Sequence, residues 1–189
     1  GNEELLLAFE RLLERRVDLH GEVVLMLACV AAASGMKIYE ETQRSIEEMA
    51  GRINGRFSQV DWIPVRFSTR RIPYEEMVAL FCHADVCWIT PLRDGLNLVA
   101  KEYAAARRHR GGVLVLSEFT GASVVLEGAV LTNPYSNRRM VEAIEAALAM
   151  PEDEQRQRME PTPATVEAYT VQDWAEEQLA SFPEVAAIG

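Results

Sequence analysis

The stretch VCWITPLRDGLNLVAKEYAAAR, residues 86–107, places an apolar run, a polar loop and a second regular element in direct succession. Its first five residues are apolar or β-branched, which is typical of a strand buried on both faces. Its last residues are good helix formers. Between the two runs lie Arg93, Asp94, Gly95 and Asn97. A strand that passes through such a loop into a helix is the repeating unit of α/β proteins.

The same alternation extends along most of the chain. Apolar runs of strand length lie at 23–29, 63–67, 86–90, 113–116 and 129–131, and helical periodicity follows most of them. Because such apolar strands favour a parallel sheet covered on both faces, and crossovers are right-handed, we predict a Rossmann-like, doubly wound domain.

The predicted domain covers residues 1–150, and residues 151–189 are assigned to peripheral C-terminal helices. The chain opens on a helical pattern, whereas a doubly wound unit opens on a strand. We therefore expect that this domain lacks its first strand. We also expect that the amino-terminal part of a longer protein is absent from this sequence. Asn54 and Gly55 are expected to end the second helix.

Composition excludes several classes of function. The 189 residues include 29 acidic and 19 basic side chains, for a net charge of −10, and 49% are apolar. A nucleic-acid partner is not expected, because such proteins carry an excess of basic residues. No apolar run reaches the roughly 18 residues of a membrane span, so no membrane partner is expected either. The three cysteines are expected to be free thiols in a reducing compartment, which predicts a cytoplasmic protein. Homo-oligomer formation is left open.

The loop at the centre of the opening stretch is a candidate anion site. Ligands of open parallel sheets collect at the carboxyl ends of the strands, where helix N-termini offer free N–H groups and a partial positive charge. If the helix opens near Leu96, the N–H groups of Leu96, Asn97 and Leu98 face this crevice and suit a phosphate or diphosphate.

Three residues of the same stretch have both a ligand-binding and a structural interpretation. Gly95 is expected to let the backbone turn sharply and approach the ligand, Asp94 to accept hydrogen bonds from sugar hydroxyls, and Glu102 to reach a ribose. The alternative is that Asp94 caps the helix, Gly95 serves the turn and Glu102 is a solvated helix residue.

Other parts of the chain offer weaker candidates. The loop at 117–123 repeats the strand-loop-helix pattern, and the loop at 68–73 brings two arginines to the end of a strand. His20, His83 and His109 are scattered, without partners at metal-ligand spacing or for a Ser-His-Asp arrangement. No metal site is therefore expected.

Four separated motifs then indicate a family. They are GRINGRF (51–57), PLRDGLNLVAKEY (91–103), VLSEFTGAS (115–123) and LTNPYS (131–136). Together they resemble the trehalose-6-phosphate synthase family of retaining glycosyltransferases, over residues 1–159. The resemblance implies a two-domain GT-B fold, of which this chain looks like most of the C-terminal, nucleotide-sugar-binding half.

The resemblance also implies a role for each matching residue. It implies that Asp94 is catalytic, that Asp94, Gly95 and Leu96 contact the donor sugar, and that Glu102 binds the ribose. Backbone groups of Asn97, Leu98 and Val99 would hold the diphosphate, and Arg71, Ile72 and Pro73 would border the base. No metal and no cofactor are implied. The family's diphosphate-neutralising Arg and Lys fall upstream of Gly1, and its acceptor pocket lies in the other domain, so the chain alone is expected to be inactive.

The segment AAASGMKIY, residues 31–39, departs from the usual trehalose-6-phosphate synthase pattern. It is more similar to glucosylglycerol-phosphate synthases, relatives that make an osmolyte by moving glucose from ADP-glucose to glycerol 3-phosphate. The alternatives are a trehalose-6-phosphate synthase, which uses UDP-glucose and glucose 6-phosphate, and a non-catalytic domain that binds a nucleotide sugar for regulation.

Overall fold

The computed structural model of the chain describes residues 1–29, 37–107, 110–160 and 170–181. The helices in these ranges are α1 Asn2–Arg15, α2 Lys37–Phe57, α3 Tyr74–His83, α4 Leu98–Ala106, α5 Ala122–Val125, α6 Asn137–Leu148, α7 Glu152–Met159 and α8 Val171–Ser181. The strands are β1 Leu25–Ala28, β2 Val65–Ser68, β3 Val86–Ile89, β4 Val113–Ser117 and β5 Val130–Thr132. A 3-10 turn at Val17–Leu19 follows α1.

All the described strand pairs are parallel. β1 pairs with β2, with Leu25 opposite Val65. β3, β4 and β5 form a second sheet in that order, in which Val86 lies opposite Val113. The predicted α/β class with parallel strands is therefore confirmed. In the described ranges the strands form a two-stranded and a three-stranded sheet, because β1 and β3 are not paired with each other.

Two apolar clusters cover opposite faces of the second sheet. Val113 and Val115 of β4 pack into a cluster built mainly from α1, α2 and α6. Leu114 and Leu116 pack into another cluster, built mainly from α3, α4, α5 and α7. Every residue of β4 is buried, which explains its continuous run of apolar residues.

β1 is covered on one face only by the described residues. Leu27 packs into the cluster of α1, α2 and α6 and is 7% exposed, whereas Met26 on the other face is 47% exposed. The prediction of a sheet covered on both faces is therefore wrong at this strand. The helices that cover the second face, α3, α4 and α7, pack against β3 and β4 rather than β1.

The predicted end of the second helix at Asn54 and Gly55 is also wrong, since α2 continues to Phe57. The Asn54 side chain does not cap the helix. Its Nδ2 donates to the carbonyl oxygen of Val65 at 2.9 Å, and its Oδ1 accepts from the Val65 N–H at 2.9 Å. Asn54 thus replaces a neighbouring strand at the start of β2 and fixes α2 against the sheet.

The segment after residue 150 begins with a helix that packs against the sheet domain. Met159 of α7 is 5% exposed and belongs to the second cluster. The Oε1 atom of Gln155 accepts a hydrogen bond from the Gly112 N–H at 3.1 Å, just before β4. None of the helices in the described ranges is long and apolar enough to cross a membrane.

Candidate active site

The candidate site begins where β3 ends. Thr90 is buried, and its hydroxyl donates to the carbonyl oxygen of Gly1 at 3.0 Å. This contact places the start of α1 beside the end of β3. The loop from Pro91 to Asn97 then leads into α4.

The Asp94 carboxylate organises this loop. Its Oδ1 atom accepts the N–H groups of Leu96 at 3.1 Å and of Asn97 at 3.2 Å, and its Oδ2 atom accepts from Asn97 Nδ2 at 2.8 Å. A carboxylate offers about four lone-pair sites, so one remains for a ligand hydroxyl. The structural and the ligand-binding interpretations of Asp94 are therefore compatible.

The helix begins at Leu98, so the expectation that it opens near Leu96 is wrong. Asn97 is the N-cap residue; its φ of 48° lies in the left-handed region, and its side chain accepts from the Ala100 N–H at 3.0 Å. Asp94 uses the N–H groups of Leu96 and Asn97, which removes them from ligand binding. Among the described residues, the N–H groups of Leu98 and Val99 have no hydrogen-bond acceptor, because the Asn97 side chain caps the N–H of Ala100 instead.

Gly95 is not required by the turn, which corrects the role predicted for it. Its φ is not positive, and a Cβ atom added there would meet nothing within 4 Å. The constrained glycine is Gly121, where an added Cβ would lie 1.9 Å from the carbonyl oxygen of Gly95. The open space above Gly95 suits a ligand that approaches the backbone closely.

The loop after β4 holds the Asp94 loop in place. The Asp94 N–H donates to the carbonyl oxygen of Phe119 at 3.1 Å, and the Gly121 N–H donates to the carbonyl oxygen of Asp94 at 3.1 Å. The candidate corner at 117–123 and the Asp94 corner therefore form one surface at the carboxyl ends of β3 and β4.

Two aromatic residues lie at this surface: Phe119, in the candidate corner at 117–123, and Tyr135, which was not predicted as part of it. The hydroxyl of Tyr135 donates to the carbonyl oxygen of Leu92 at 3.3 Å. The rings of Tyr135 and Phe119 pack edge to face with centroids 5.4 Å apart, and both residues are exposed. A signal for Tyr135 was present in the sequence, because it lies within the motif LTNPYS (131–136).

A groove of about 600 Å³ runs beside α4. Of the predicted residues, it is lined by Leu96, Leu98 and Glu102, while Asp94, Gly95 and Asn97 lie outside it. The rest of its described lining comes from α3, α4 and the region of α8: Tyr74, Val78, Phe81, Lys101, Ala105, Ala106, Thr170, Val171 and Trp174. The structure thus divides the predicted residues between a polar loop and a mostly apolar groove.

The segment predicted to border the base lies at the start of α3. Pro73 is the N-cap residue of this helix, and Tyr74, which follows it, lines the groove. Arg71 and Pro73 are exposed, and Ile72 is half-buried. The chain position of Tyr74 therefore brings this segment to one end of the groove that Glu102 also lines.

Burial disfavours the thiolate at two of the described cysteines, Cys29 and Cys87. The cysteines in the described ranges, Cys29, Cys82 and Cys87, are free, and burial raises the pKa of Cys87 to about 12. Burial also raises the pKa of Cys29. No group of three or more His, Cys, Asp or Glu side chains that could hold a metal ion occurs within the described ranges.

Comparison with known proteins gives the family. The sequence profile of glycosyltransferase family 20 matches residues 1–184. A glucosylglycerol-phosphate synthase of Synechocystis sp. is 55% identical over 175 residues, which cover 93% of this chain and 35% of that protein. Another, from Picosynechococcus sp., is 49% identical over 189 residues, covering 100% of this chain and 38% of that protein.

A solved structure agrees with these sequence relatives. The crystal structure of an α,α-trehalose-phosphate synthase (UDP-forming) from Burkholderia xenovorans, in complex with glucose-6-phosphate, superposes with a TM-score of 0.91. It is 37% identical, and the match covers 95% of this chain and 40% of that chain. The chain thus spans little more than a third of the length of its relatives, and its fold is that of the corresponding part of a GT-B glycosyltransferase. The chain belongs to glycosyltransferase family 20.

Proposed function

We propose that this chain is the donor-binding domain of a retaining glucosyltransferase that moves glucose from ADP-glucose to glycerol 3-phosphate. The observation that carries the proposal is the loop after β3, in which Asp94 organises the entry to α4 and leaves the N–H groups of Leu98 and Val99 open. The choice of acceptor is supported by the 55% identity to a glucosylglycerol-phosphate synthase. ADP-glucose is proposed on the sequence resemblance of residues 31–39, of which 31–36 lie outside the described ranges.

The geometry supports one division of roles along the donor. The diphosphate lies against the N–H groups of Leu98 and Val99, where the helix dipole stabilises the charge that develops on the leaving group. Asn97 contributes to this subsite by capping the helix, because its own N–H already donates to Asp94. The glucose lies over Gly95 and Leu96, with a hydroxyl donating to the remaining acceptor site of Asp94.

The nucleoside part of the donor lies toward the groove. Glu102 lines the groove one turn into α4, and its carboxylate accepts hydrogen bonds from the vicinal hydroxyls of the ribose. The apolar lining from α3 and α4 suits the flat face of a base, and residues 71–73 border it through Tyr74. The predicted donor domain of residues 1–150 is then extended by α7, whose Met159 packs into the second cluster, and by α8, whose Trp174 lines the groove.

The reaction proposed for the full-length protein retains the configuration of the sugar. The leaving diphosphate assists the incoming hydroxyl on the same face of the glucose, and the open amides of α4 stabilise its charge. The acceptor pocket belongs to a part of the protein that this chain does not contain. The chain alone therefore binds donor and does not transfer glucose, and its cytoplasmic location stays a prediction.

Calorimetry with ADP-glucose, UDP-glucose, ADP and UDP tests the donor assignment directly. ADP-glucose is expected to bind more tightly than UDP-glucose, and the reverse order favours the trehalose-6-phosphate synthase alternative, which the match to the Burkholderia xenovorans enzyme supports. Because the family resemblance places the diphosphate-neutralising Arg and Lys upstream of Gly1, the measurement is made on a chain extended upstream. Binding of none of the four ligands by that folded protein contradicts the proposal. Transfer assays on the full-length protein with glycerol 3-phosphate and glucose 6-phosphate then test the acceptor. Donor binding without transfer to either acceptor favours a regulatory domain.

Asp94→Asn is the sharpest variant for the sugar subsite. Asparagine keeps an oxygen that can accept from the N–H groups of Leu96 and Asn97, so these two loop hydrogen bonds are retained while the charge is lost. Its NH2 group replaces the oxygen that accepts from Asn97 Nδ2, so that hydrogen bond is lost as well. Nucleotide-sugar affinity is expected to fall about tenfold, in line with one hydrogen bond to a charged group. The affinity for the free nucleotide should stay unchanged. Equal loss for both ligands would show that Asp94 acts only on the loop.

A further inference from the structure

The loop after β5 contacts the Asp94 loop, although the two loops follow strands that are not neighbours. β4 lies between β3 and β5 in the second sheet. Tyr135 lies between β5 and α6, and its hydroxyl donates to the carbonyl oxygen of Leu92 at 3.3 Å. Leu92 belongs to the loop after β3 and precedes Asp94 by two residues. The hydrogen bond therefore joins the first and the third loop at this edge of the sheet directly.

Asn133 fixes the backbone from which the Tyr135 side chain extends. Its Oδ1 atom accepts from the Tyr135 N–H at 2.9 Å, which closes a local turn. Its Nδ2 atom donates to Glu118 Oε1 at 2.6 Å, in the loop after β4. The next residue, Ser136, caps α6. The backbone of Tyr135 is thus held between a helix cap and the neighbouring loop.

The ring of Tyr135 gives a second connection to the Asp94 loop. It packs against Phe119 with an angle of 72° between the ring planes, the edge-to-face arrangement that aromatic pairs prefer. The carbonyl oxygen of Phe119 accepts the Asp94 N–H at 3.1 Å. Tyr135 therefore reaches the loop through its hydroxyl at Leu92 and through its ring at Phe119.

Both connections end beside the carboxylate that organises the loop. The Asp94 side chain accepts the N–H groups of Leu96 and Asn97, so the turn that follows depends on where Asp94 lies. A displacement of about 1 Å in a group that orients the substrate can lower a reaction rate about 100-fold. A residue that fixes this loop from outside is therefore in a position to affect the reaction without touching the substrate.

Exposure gives Tyr135 an alternative role as a ligand contact. The residue is 66% exposed, so part of its ring is accessible from solvent. The geometry favours positioning, because the only polar atom of the side chain donates to the protein, at Leu92. Direct contact between the ring and a ligand is the competing interpretation, and it does not require the hydroxyl.

We propose that Tyr135 is a positioning residue of the sugar subsite, which fixes the Asp94 carboxylate through Leu92 and Phe119. The proposal rests on the proposed function, in which Asp94 accepts a hydrogen bond from the donor glucose. The contacts of Tyr135 are present without a ligand, so Tyr135 orders the loop before the donor binds. Its effect is confined to the sugar, since the nucleoside part of the donor lies toward the groove beside α4.

Hydrogen exchange in the full-length protein tests the effect of Tyr135 on the loop. Tyr135→Phe removes the hydroxyl and keeps the ring. The Leu96 and Asn97 amides, which donate to Asp94, are expected to exchange about threefold faster, in line with the low end of what one hydrogen bond contributes. Tyr39→Phe is the matched control, because it removes the hydroxyl of an exposed tyrosine on α2 and should leave both amides unchanged.

Calorimetry on the same protein tests the effect on the ligand. Tyr135→Phe should lower the affinity for ADP-glucose about threefold and leave the affinity for ADP unchanged. If Tyr135 acts through Asp94, the two substitutions are not additive. Tyr135→Phe should then cause no further loss of ADP-glucose affinity in a protein that already carries Asp94→Asn. UDP-glucose and UDP replace these probes if the unmodified protein binds UDP-glucose more tightly.

Three results would overturn the proposal. The first is unchanged exchange of the Leu96 and Asn97 amides in Tyr135→Phe. The second is additive loss of affinity in the double variant. The third is full nucleotide-sugar affinity in Tyr135→Phe together with a loss in Tyr135→Leu, which would assign the ring to ligand contact. If the unmodified protein binds no nucleotide sugar, the proposed function fails, and the exchange measurement still decides whether Tyr135 fixes the loop.

Discussion

The carbonyl oxygen of Asp94 accepts a 3.1 Å hydrogen bond from the N–H of Gly121, which joins the loop after β3 to the loop after β4. The backbones approach closely enough that a Cβ atom on Gly121 would lie 1.9 Å from the carbonyl oxygen of Gly95. The position of the Asp94 loop therefore depends on a glycine in a different part of the chain.

Gly121→Ala should destabilise the protein and displace the Asp94 loop. The added Cβ would collide with the carbonyl oxygen of Gly95, a backbone atom that cannot move to another rotamer. The free energy of unfolding should therefore fall by about 3 kcal/mol, the upper end of the effects of overpacking. Denaturant unfolding measures the change. Gly95→Ala is the matched control, because a Cβ at that position meets nothing within 4 Å. Similar stability of the two variants would contradict the close approach.

The same pair of glycines shows where the sequence was informative and where it was not. The pattern at 86–107 was enough to predict a strand, a loop and a helix at the carboxyl end of a parallel sheet, as found. It also led to Gly95 as the constrained glycine. The constraint at Gly121 comes from a contact between segments separated in sequence, and no local pattern reports such a contact.

The start of α4 is a second place where the sequence did not determine the local structure. Both Asp94 and Asn97 are residue types that cap helices. The sequence left open whether Asp94 caps the helix or binds a ligand, and it placed the start of the helix near Leu96. In the structure Asp94 closes a turn and Asn97 caps the helix. The backbone of Asp94 is hydrogen-bonded to Phe119 and Gly121 of the loop after β4, and the local sequence does not report these contacts.

Asn97→Ala should destabilise the protein by about 2 kcal/mol. The substitution removes the cap of α4 and forces alanine to adopt a φ of 48°, a region that alanine adopts at a cost. Asn97→Gly removes the same side chain, but glycine adopts a positive φ without strain. Its loss of unfolding free energy should therefore be clearly smaller than that of Asn97→Ala. Thermal unfolding ranks the variants. Equal destabilisation by both would show that the left-handed conformation contributes nothing.

Glu10 should make stability depend on pH. Its carboxylate contacts Arg52 at 2.8 Å and Arg56 at 3.4 Å, and the hydrogen bond from Arg52 is the main reason that its pKa lies below the usual 4.5. A lowered pKa in the folded state stabilises the protein above the unfolded pKa, and this stabilisation is lost as pH falls through the folded pKa.

Glu10→Gln is therefore expected to lower the free energy of unfolding at pH 7, by roughly 0.5–1 kcal/mol because the pair is partly exposed. The difference from the unmodified protein, followed by urea unfolding, should shrink as the pH falls below the usual pKa of 4.5 and should disappear once the pH has fallen through the lowered pKa. Glu47→Gln is the control, since the Glu47 carboxylate accepts from the neutral amide of Gln43. A Glu10→Gln effect that is constant from pH 7 to pH 3 would contradict this origin.

Gly51→Ala should stabilise the protein. Gly51 lies inside α2, is exposed, and has open space where a Cβ atom would be added. Alanine restricts the unfolded chain and favours the helix, which is expected to contribute about 0.5–1 kcal/mol and to raise the melting temperature by about 1–4 °C. Gly112→Ala is expected to have the opposite effect. Gly112 has a φ of +115°, and an added Cβ would lie 2.6 Å from the Tyr103 hydroxyl, so the melting temperature should clearly fall. A melting temperature that falls in Gly51→Ala would contradict the exposed, continuous helix that the structure shows at this residue.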